Sequence, residues 1–238
     1  MLPKIDAPTY TITLPVSKVE LTFRPFLVKE QKILLMAMES QEEKTIQTNI
    51  KQILQNCAIT DIDINLLPMV DVEFYYLNLR AKSVGEIVET RYKCENIVND
   101  APCDTELKAS YNILEVDLKI PKNNELIPLT DKIGIKMKYP NFSVIDRLKD
   151  TDLITDIAFD LIIECIDYIY DGDTLFYAHE TEKAELNEFL EGLTQEQFDK
   201  IDNFIDNLPS IEKQLEMKCP GCGFEHKVMI KDLNSFFQ

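Results

Sequence analysis

The patterning of this chain predicts an α+β fold: an N-terminal β-hairpin, helical segments, and two cysteine-bearing β-hairpins joined by a long helical insertion. Three observations predict it. Apolar residues recur at a spacing of two in some segments and of three to four in others, and the two kinds of segment come in separate groups. Four of the six cysteines fall in two similar settings, each where one strand-like run ends and another begins. Glycine is scarce, with 6 in 238 residues, and neither Gly-x-Gly-x-x-Gly nor Gly-Lys-Ser/Thr occurs, which argues against enzymes built on glycine-rich phosphate loops.

The elements follow in order. Thr9 to Leu14 and Lys18 to Phe23 alternate and are β-branched, with Pro15-Val16-Ser17 as the turn, so residues 9–26 read as a hairpin. Over 28–57 the period becomes helical, with Ile33, Leu34, Met36 and Ala37 marking one helix and Ile46, Ile50, Ile53, Leu54 and Cys57 the next. Pro68 opens a third helix through about Lys82, whose Val72, Tyr75, Tyr76 and Leu79 have core spacing rather than the look of a base-stacking platform. From Glu86 the period returns to two: Ile87 to Tyr92 leads into Cys94, and Leu107, Ala109 and Tyr111 follow Cys103. A second strand group spans Ile127 to Tyr139. Leu153, Ile154, Ile157, Leu161, Cys165 and Ile169 then share one helix face, with Asp171-Gly172-Asp173 as a helix-ending turn. Glu182 to Leu193 predicts another helix, and Thr194-x-x-Gln197 is a capping box that opens a last one. These runs divide the chain into 1–85 (hairpin plus helices), 86–140 (β-rich, with the first cysteine pair), 141–210 (acidic and helical) and 211–238 (a Cys-x-x-Cys hairpin expected to pack with 86–112).

Charge and length narrow the function. With 25 Lys+Arg against 42 Asp+Glu the net charge is −17, which repels a phosphate backbone and disfavours nucleic-acid binding. The acidic residues are densest over 150–207, a solvated helix face or a docking surface for a basic partner. No run of 18 apolar residues exists, and residues 1–8 lack the apolar core of a signal peptide, so neither a membrane span nor secretion is expected. A cytoplasmic chain keeps its thiols reduced, so the cysteines read as core thiols (Cys57 and Cys165, on apolar helix faces) or as metal ligands.

The other four carry the chemistry. Tyr92-Lys93-Cys94, eight residues and Cys103-Asp104-Thr105-Glu106-Leu107-Lys108 match Met217-Lys218-Cys219-Pro220-Gly221-Cys222-Gly223-Phe224-Glu225-His226-Lys227: an aromatic or Met, Lys-Cys, a connector, then Cys-x-x-Glu-x-Lys. Two hairpins that each offer two thiolates at the turn make a zinc ribbon when the turns face each other, so Cys94, Cys103, Cys219 and Cys222 are the expected ligands of one structural Zn2+. The first pair's eight-residue connector exceeds the usual two to four, and 115 residues separate the pairs. The rivals are a redox Cys-x-x-Cys, a Cys94–Cys103 disulfide, and His226 in place of one thiolate, although its alignment with Leu107 reads as an ordinary strand position. Four protein ligands leave no open position for water. With only two histidines, His179 and His226, and no local nucleophile signature, no catalytic residues are assigned and an enzyme is not expected.

Leu2-Pro3-Lys4-Ile5-Asp6-Ala7-Pro8-Thr9-Tyr10 and Phe23-Arg24-Pro25-Phe26-Leu27-Val28-Lys29-Glu30-Gln31-Lys32-Ile33-Leu34-Leu35 resemble the opening of the T-even-type bacteriophage baseplate hub proteins. The resemblance continues through Val70-Asp71-Val72-Glu73-Phe74, Leu79 to Glu86, Lys218-Cys219-Pro220-Gly221-Cys222-Gly223 and the closing Phe236-Phe237, and so spans essentially the whole chain. It implies a non-enzymatic baseplate hub or tail assembly protein whose partners are other hub or tail proteins. The resemblance places such a protein in the host cytoplasm during assembly and leaves open whether it then stays in the virion's tail baseplate or acts transiently as an assembly factor. The alternatives are an assembly chaperone absent from the mature virion and a zinc-ribbon nucleic-acid binder.

Overall fold

The computed structural model describes residues 5–40, 43–122, 125–144 and 154–231. It is an α+β protein with two compact units, one made of Met1–Ile64, Val70–Lys119 and Ser210–Gln238, the other of Asn65–Met69 and Ile120–Pro209.

In the first unit, β1 (Tyr10–Thr13) pairs antiparallel with β2 (Glu20–Phe23), Tyr10 opposite Phe23. Three helices follow: α1 (Val28–Ser40), α2 (Glu43–Cys57) and α3 (Met69–Val84). Two buried carboxylates fix how they start. Glu30, 1% exposed, accepts from the Leu27 backbone N–H at 2.9 Å and from Arg24 Nη2 at 2.9 Å, so it caps the first turn of α1 and neutralises a guanidinium together. Asp71 in α3 is fully buried and accepts from the Val16 and Ser17 N–H groups at 2.7 and 2.8 Å, satisfying the turn of the β1–β2 hairpin. The Tyr75 ring meets Phe23 edge-on at 5.3 Å and its hydroxyl donates to the Leu54 carbonyl, so the aromatic positions of α3 are core, as their spacing predicts.

The rest of this unit is strand. β3 (Ile87–Lys93) pairs with β6 (Glu106–Asn112), and the connection between them folds into a miniature hairpin of β4 (Ile97–Val98) and β5 (Ala101–Pro102). β7 (Asp117–Lys119), β12 (Ser210–Lys218) and β13 (Glu225–Ile230) form a three-stranded antiparallel sheet in the order β13-β12-β7.

The second unit is a four-stranded antiparallel sheet in the order β11-β10-β9-β8, comprising β8 (Leu126–Pro128), β9 (Ile133–Met137), β10 (Ile166–Asp171) and β11 (Thr174–Tyr177). Its helices are α4 (Ile154–Cys165), α5 (Lys183–Glu191) and α6 (Gln195–Asp206). Ile135 and Met137 of the sheet pack with Ile162, Cys165, Leu190, Ile201 and Phe204 of the helices, and Tyr139 stacks on Phe204 at 5.7 Å. The expected capping box is present at Thr194 and Gln197. Gly134 lies under Tyr170 of β10, where a Cβ would collide with the phenol ring.

The continuous helix expected over 153–170 is corrected here: α4 stops at Cys165 and the chain runs on directly as β10. The Cys165 carbonyl accepts from the Lys138 N–H at 2.7 Å, which hands the backbone from helix to sheet. Ile166 and Ile169 suit either period, and only β9 alongside decides for the strand. Asp171-Gly172-Asp173 is accordingly the turn of a β10–β11 hairpin, with Gly172 at φ 57° in the first central position as a type II′ turn prefers, and not a helix end.

Candidate metal centre

The two cysteine settings fold alike. Lys93 pairs with Glu106 and Tyr92 with Leu107 in one hairpin; Lys218 pairs with Glu225 and Met217 with His226 in the other. The Cys94 N–H donates to Thr105 O at 2.9 Å and Asp104 N–H to Cys94 O at 3.1 Å; in the same places Cys219 N–H donates to Phe224 O at 2.8 Å and Gly223 N–H to Cys219 O at 2.9 Å. The residue after each second cysteine has a left-handed backbone, Asp104 at φ 52° and Gly223 at φ 75°. Asp tolerates that region better than most side chains and glycine enters it freely, so the match reaches the dihedral angles. The eight-residue connector is explained too. Six of its residues, from Ile97 to Pro102, form the β4–β5 hairpin, so the extra length projects outward while Cys94 and Cys103 stay close. The Cys103 N–H returns to Asn96 O at 2.8 Å and closes that excursion.

Cys94, Cys103, Cys219 and Cys222 all have their sulfurs within 4.8 Å of one another. Cys94 Sγ and Cys222 Sγ are 3.6 Å apart, Cys103 Sγ and Cys219 Sγ 3.8 Å. Sulfurs at about 2.3 Å from a tetrahedral zinc stand roughly 3.8 Å from each other, so the four are close enough to hold one metal ion. All six cysteines are free thiols, Cys57 and Cys165 being buried away from this group as expected of core thiols; burial pushes them up to about 11 and about 12.

The surroundings prepare the sulfurs unequally. The Cys222 N–H, and after it the Gly221 N–H, point at Cys219 and hold its thiol down at about 6. The Phe224 N–H does the same for Cys222, lowering it. Burial pushes Cys94 up to about 12 against the Asn96 N–H. The second hairpin therefore offers thiolates readily, and a metal would displace the proton held by Cys94. Gly221 is required where it is: a Cβ there would run into Thr105 Oγ1 and within 3.4 Å of Cys103 Sγ, so the knuckles approach this closely only without a side chain.

Sequence reasoning missed the polar partners of the sulfurs. His226 Nε2 lies 3.2 Å from Cys94 Sγ, Asn96 Nδ2 3.6 Å from Cys222 Sγ, and Thr105 Oγ1 3.1 Å from Cys103 Sγ. For His226 the signal was in hand. Its counterpart Leu107 packs against Cys94 and Cys219, so the internal match that made His226 an ordinary strand residue also placed it on the side facing the sulfurs. Such contacts fix ligand orientation and spread thiolate charge.

These features describe an acidic α+β protein with two matched cysteine knuckles brought to one point. Residues 7–238 match the family model described as T4 bacteriophage base plate protein, and the chain belongs to that family. It is 24% identical over 216 residues to the baseplate hub assembly protein gp26 of Enterobacteria phage T4, an alignment covering 90% of this chain and 91% of that relative. No solved structure matches the chain. No helix among the described residues is long and apolar enough to cross a membrane.

Proposed function

We propose that this protein takes part in building the hub of a phage tail baseplate, through contacts with other hub or tail proteins and without catalysis. The observation that carries the reading is the match along nine-tenths of both chains to a relative named for baseplate hub assembly. The protein would work in the host cytoplasm while tails are assembled, binding neither nucleic acid nor membrane. A net charge of −17 supports the former.

Within that role, Cys94, Cys103, Cys219 and Cys222 hold one structural zinc ion, in a zinc-ribbon-like arrangement that packs the 211–238 hairpin with 86–112. Four sulfurs within 4.8 Å of one another, with three hydrogen-bonding side chains and several backbone amides around them, support this. A tetrathiolate favours zinc over the harder cations, and its closed shell gives it a structural rather than catalytic task.

Two measurements test the proposal. Reduced, purified protein analysed by elemental mass spectrometry is expected to carry about one zinc per chain; a metal-free, fully folded preparation sinks the zinc assignment. Quantitative peptide analysis of gradient-purified particles beside infected-cell lysate tests the role. A fixed copy number per particle makes the chain a baseplate component, and abundance in lysate alone makes it an assembly factor. Normal baseplates in infections lacking the chain would refute both.

A further inference from the structure

β11, four residues long, is the outer strand of the second unit's sheet. Thr174-Leu175-Phe176-Tyr177 pairs with β10 on one side only, Tyr177 opposite Tyr168 and Leu175 opposite Tyr170; on the other side no strand lies alongside among the described residues. Natural edges are usually blunted by lysine, proline, a bulge or an inward charge. This one has none of them within the strand, and its large side chains are open on both faces: Leu175 44%, Phe176 51% and Tyr177 39% exposed. Phe176 is opposite Ile169, which is buried, so the apolar face of the sheet continues past its helical cover onto β11. The Tyr177 carbonyl already accepts from Thr181 Oγ1 at 2.9 Å; the other outward main-chain groups, flanked by exposed apolar side chains, form a short template for adding a strand.

The charge around it selects what can be added. Asp171 and Asp173 precede the strand and Glu180 and Glu182 follow within five residues, all exposed. The basic side chains nearby are partly committed. Lys183 pairs with Asp160 at 2.6 Å and His179 Nε2 is 3.6 Å from Glu180, while Lys132, exposed, receives the Gly172 N–H on its backbone carbonyl. The unit holds 20 carboxylates against 8 Lys and Arg, a net charge of −12. Pairing β11 with the β11 of a second copy would set these carboxylates against one another.

We propose that β11 is a docking edge that takes an extended, lysine- or arginine-bearing strand of a partner protein by β-sheet addition. The partner alternates basic residues with β-branched or aromatic ones. The apolar set then covers Phe176 on one face or Leu175 and Tyr177 on the other, and the basic set meets the flanking acids. This gives the assembly role a kind of partner and rests on that role for its purpose, but its geometry is tested separately.

The full-length protein is titrated with a synthetic ten-residue peptide alternating Lys with Val, and with a twin alternating Glu with Val, while amide hydrogen exchange is followed by NMR. The Lys peptide is expected to slow exchange within Thr174–Tyr177 by roughly tenfold or more, less so as salt rises, and the Glu twin to leave it unchanged. Phe176→Lys, at a half-exposed position, is expected to remove the protection. Leu175→Lys, on the opposite face, serves if the first variant fails to fold. Equal protection by both peptides, or protection elsewhere, overturns the proposal. So does a sedimenting dimer whose β11 amides are protected without peptide. Infections carrying Phe176→Lys separate the two readings: normal particles, where loss of the chain blocks assembly, keep the assembly role and discard this edge.

Discussion

The two units are held together by different means. In the second unit thirteen buried side chains from β8, β9, β10, the turn after β8 and three helices share one core, whereas among the described residues the cluster at the two cysteine hairpins of the first has Cys94, Leu107 and Cys219 as its buried members. A two-stranded hairpin such as β3–β6 is marginal in water by itself, and three buried side chains add little apolar area at the cysteine ends. Four sulfurs at metal-binding distance occupy the place where a core would be. The charge is uneven as well, with −12 of the total −17 on the second unit. A packed core tolerates self-repulsion, whereas hairpin ends with few buried side chains gain from a cross-link.

The largest expected effect breaks the contrast or establishes it. Chelation, or Cys219→Ala, is expected to release the proposed zinc and remove on the order of 10 kcal/mol of binding free energy from the cysteine hairpins. Amides of β3, β6, β12 and β13 should lose exchange protection while those of β9 and α6 keep theirs; equal loss in both units would erase the distinction.

Next comes the buried ion pair of the first unit. Arg24→Ala leaves the Glu30 carboxylate buried with Lys29, 3.4 Å away and mostly exposed, as its nearest cation, and is expected to destabilise by about 3 kcal/mol in urea unfolding at neutral pH. Burial pushes the Glu30 carboxyl up, but the Arg24 hydrogen bond and the Leu27 N–H outweigh it, so the group sits below its ordinary 4.5. A carboxyl lowered on folding adds stability that is complete above 4.5 and is lost as pH falls through the folded value. The difference between wild type and Arg24→Ala should therefore shrink below pH 4.5, and a difference that grows there would contradict the assignment.

A smaller effect probes the contacts around the sulfurs. His226→Gln should keep metal stoichiometry yet weaken zinc affinity by about tenfold and shift the charge-transfer bands of the Co2+-substituted protein. An unchanged spectrum would make the 3.2 Å approach incidental. The smallest effect belongs to the well-packed unit: Thr194→Ala removes a capping box and should cost about 1 kcal/mol, read as reduced protection in α6 with metal content untouched.

Much of the site was legible in the sequence because it is local. Cys-Pro-Gly-Cys-Gly dictates a knuckle, and the repeated Lys-Cys…Cys-x-x-Glu-x-Lys carried the strand register with it, down to the pairing of Lys93 with Glu106 and Lys218 with Glu225. The helices of 28–84 and the Thr194 cap were legible for the same reason, since periodicity and capping act within a few residues. The break after Cys165 was not legible, because Ile166 and Ile169 fit a helix face and a buried strand equally well.

By itself, then, the sequence determined the separate strand and helix groups, the acidic character, the two knuckles and the family. Tertiary structure alone decided that β9 draws 166–171 into a sheet, and that β11 is left as an open edge. It alone brought Cys94 and Cys222, separated by 128 positions, to 3.6 Å, and His226 to Cys94. The physical reason is common to all of these: main-chain pairing and side-chain approach between distant segments depend on which neighbour arrives, and no local pattern encodes the neighbour.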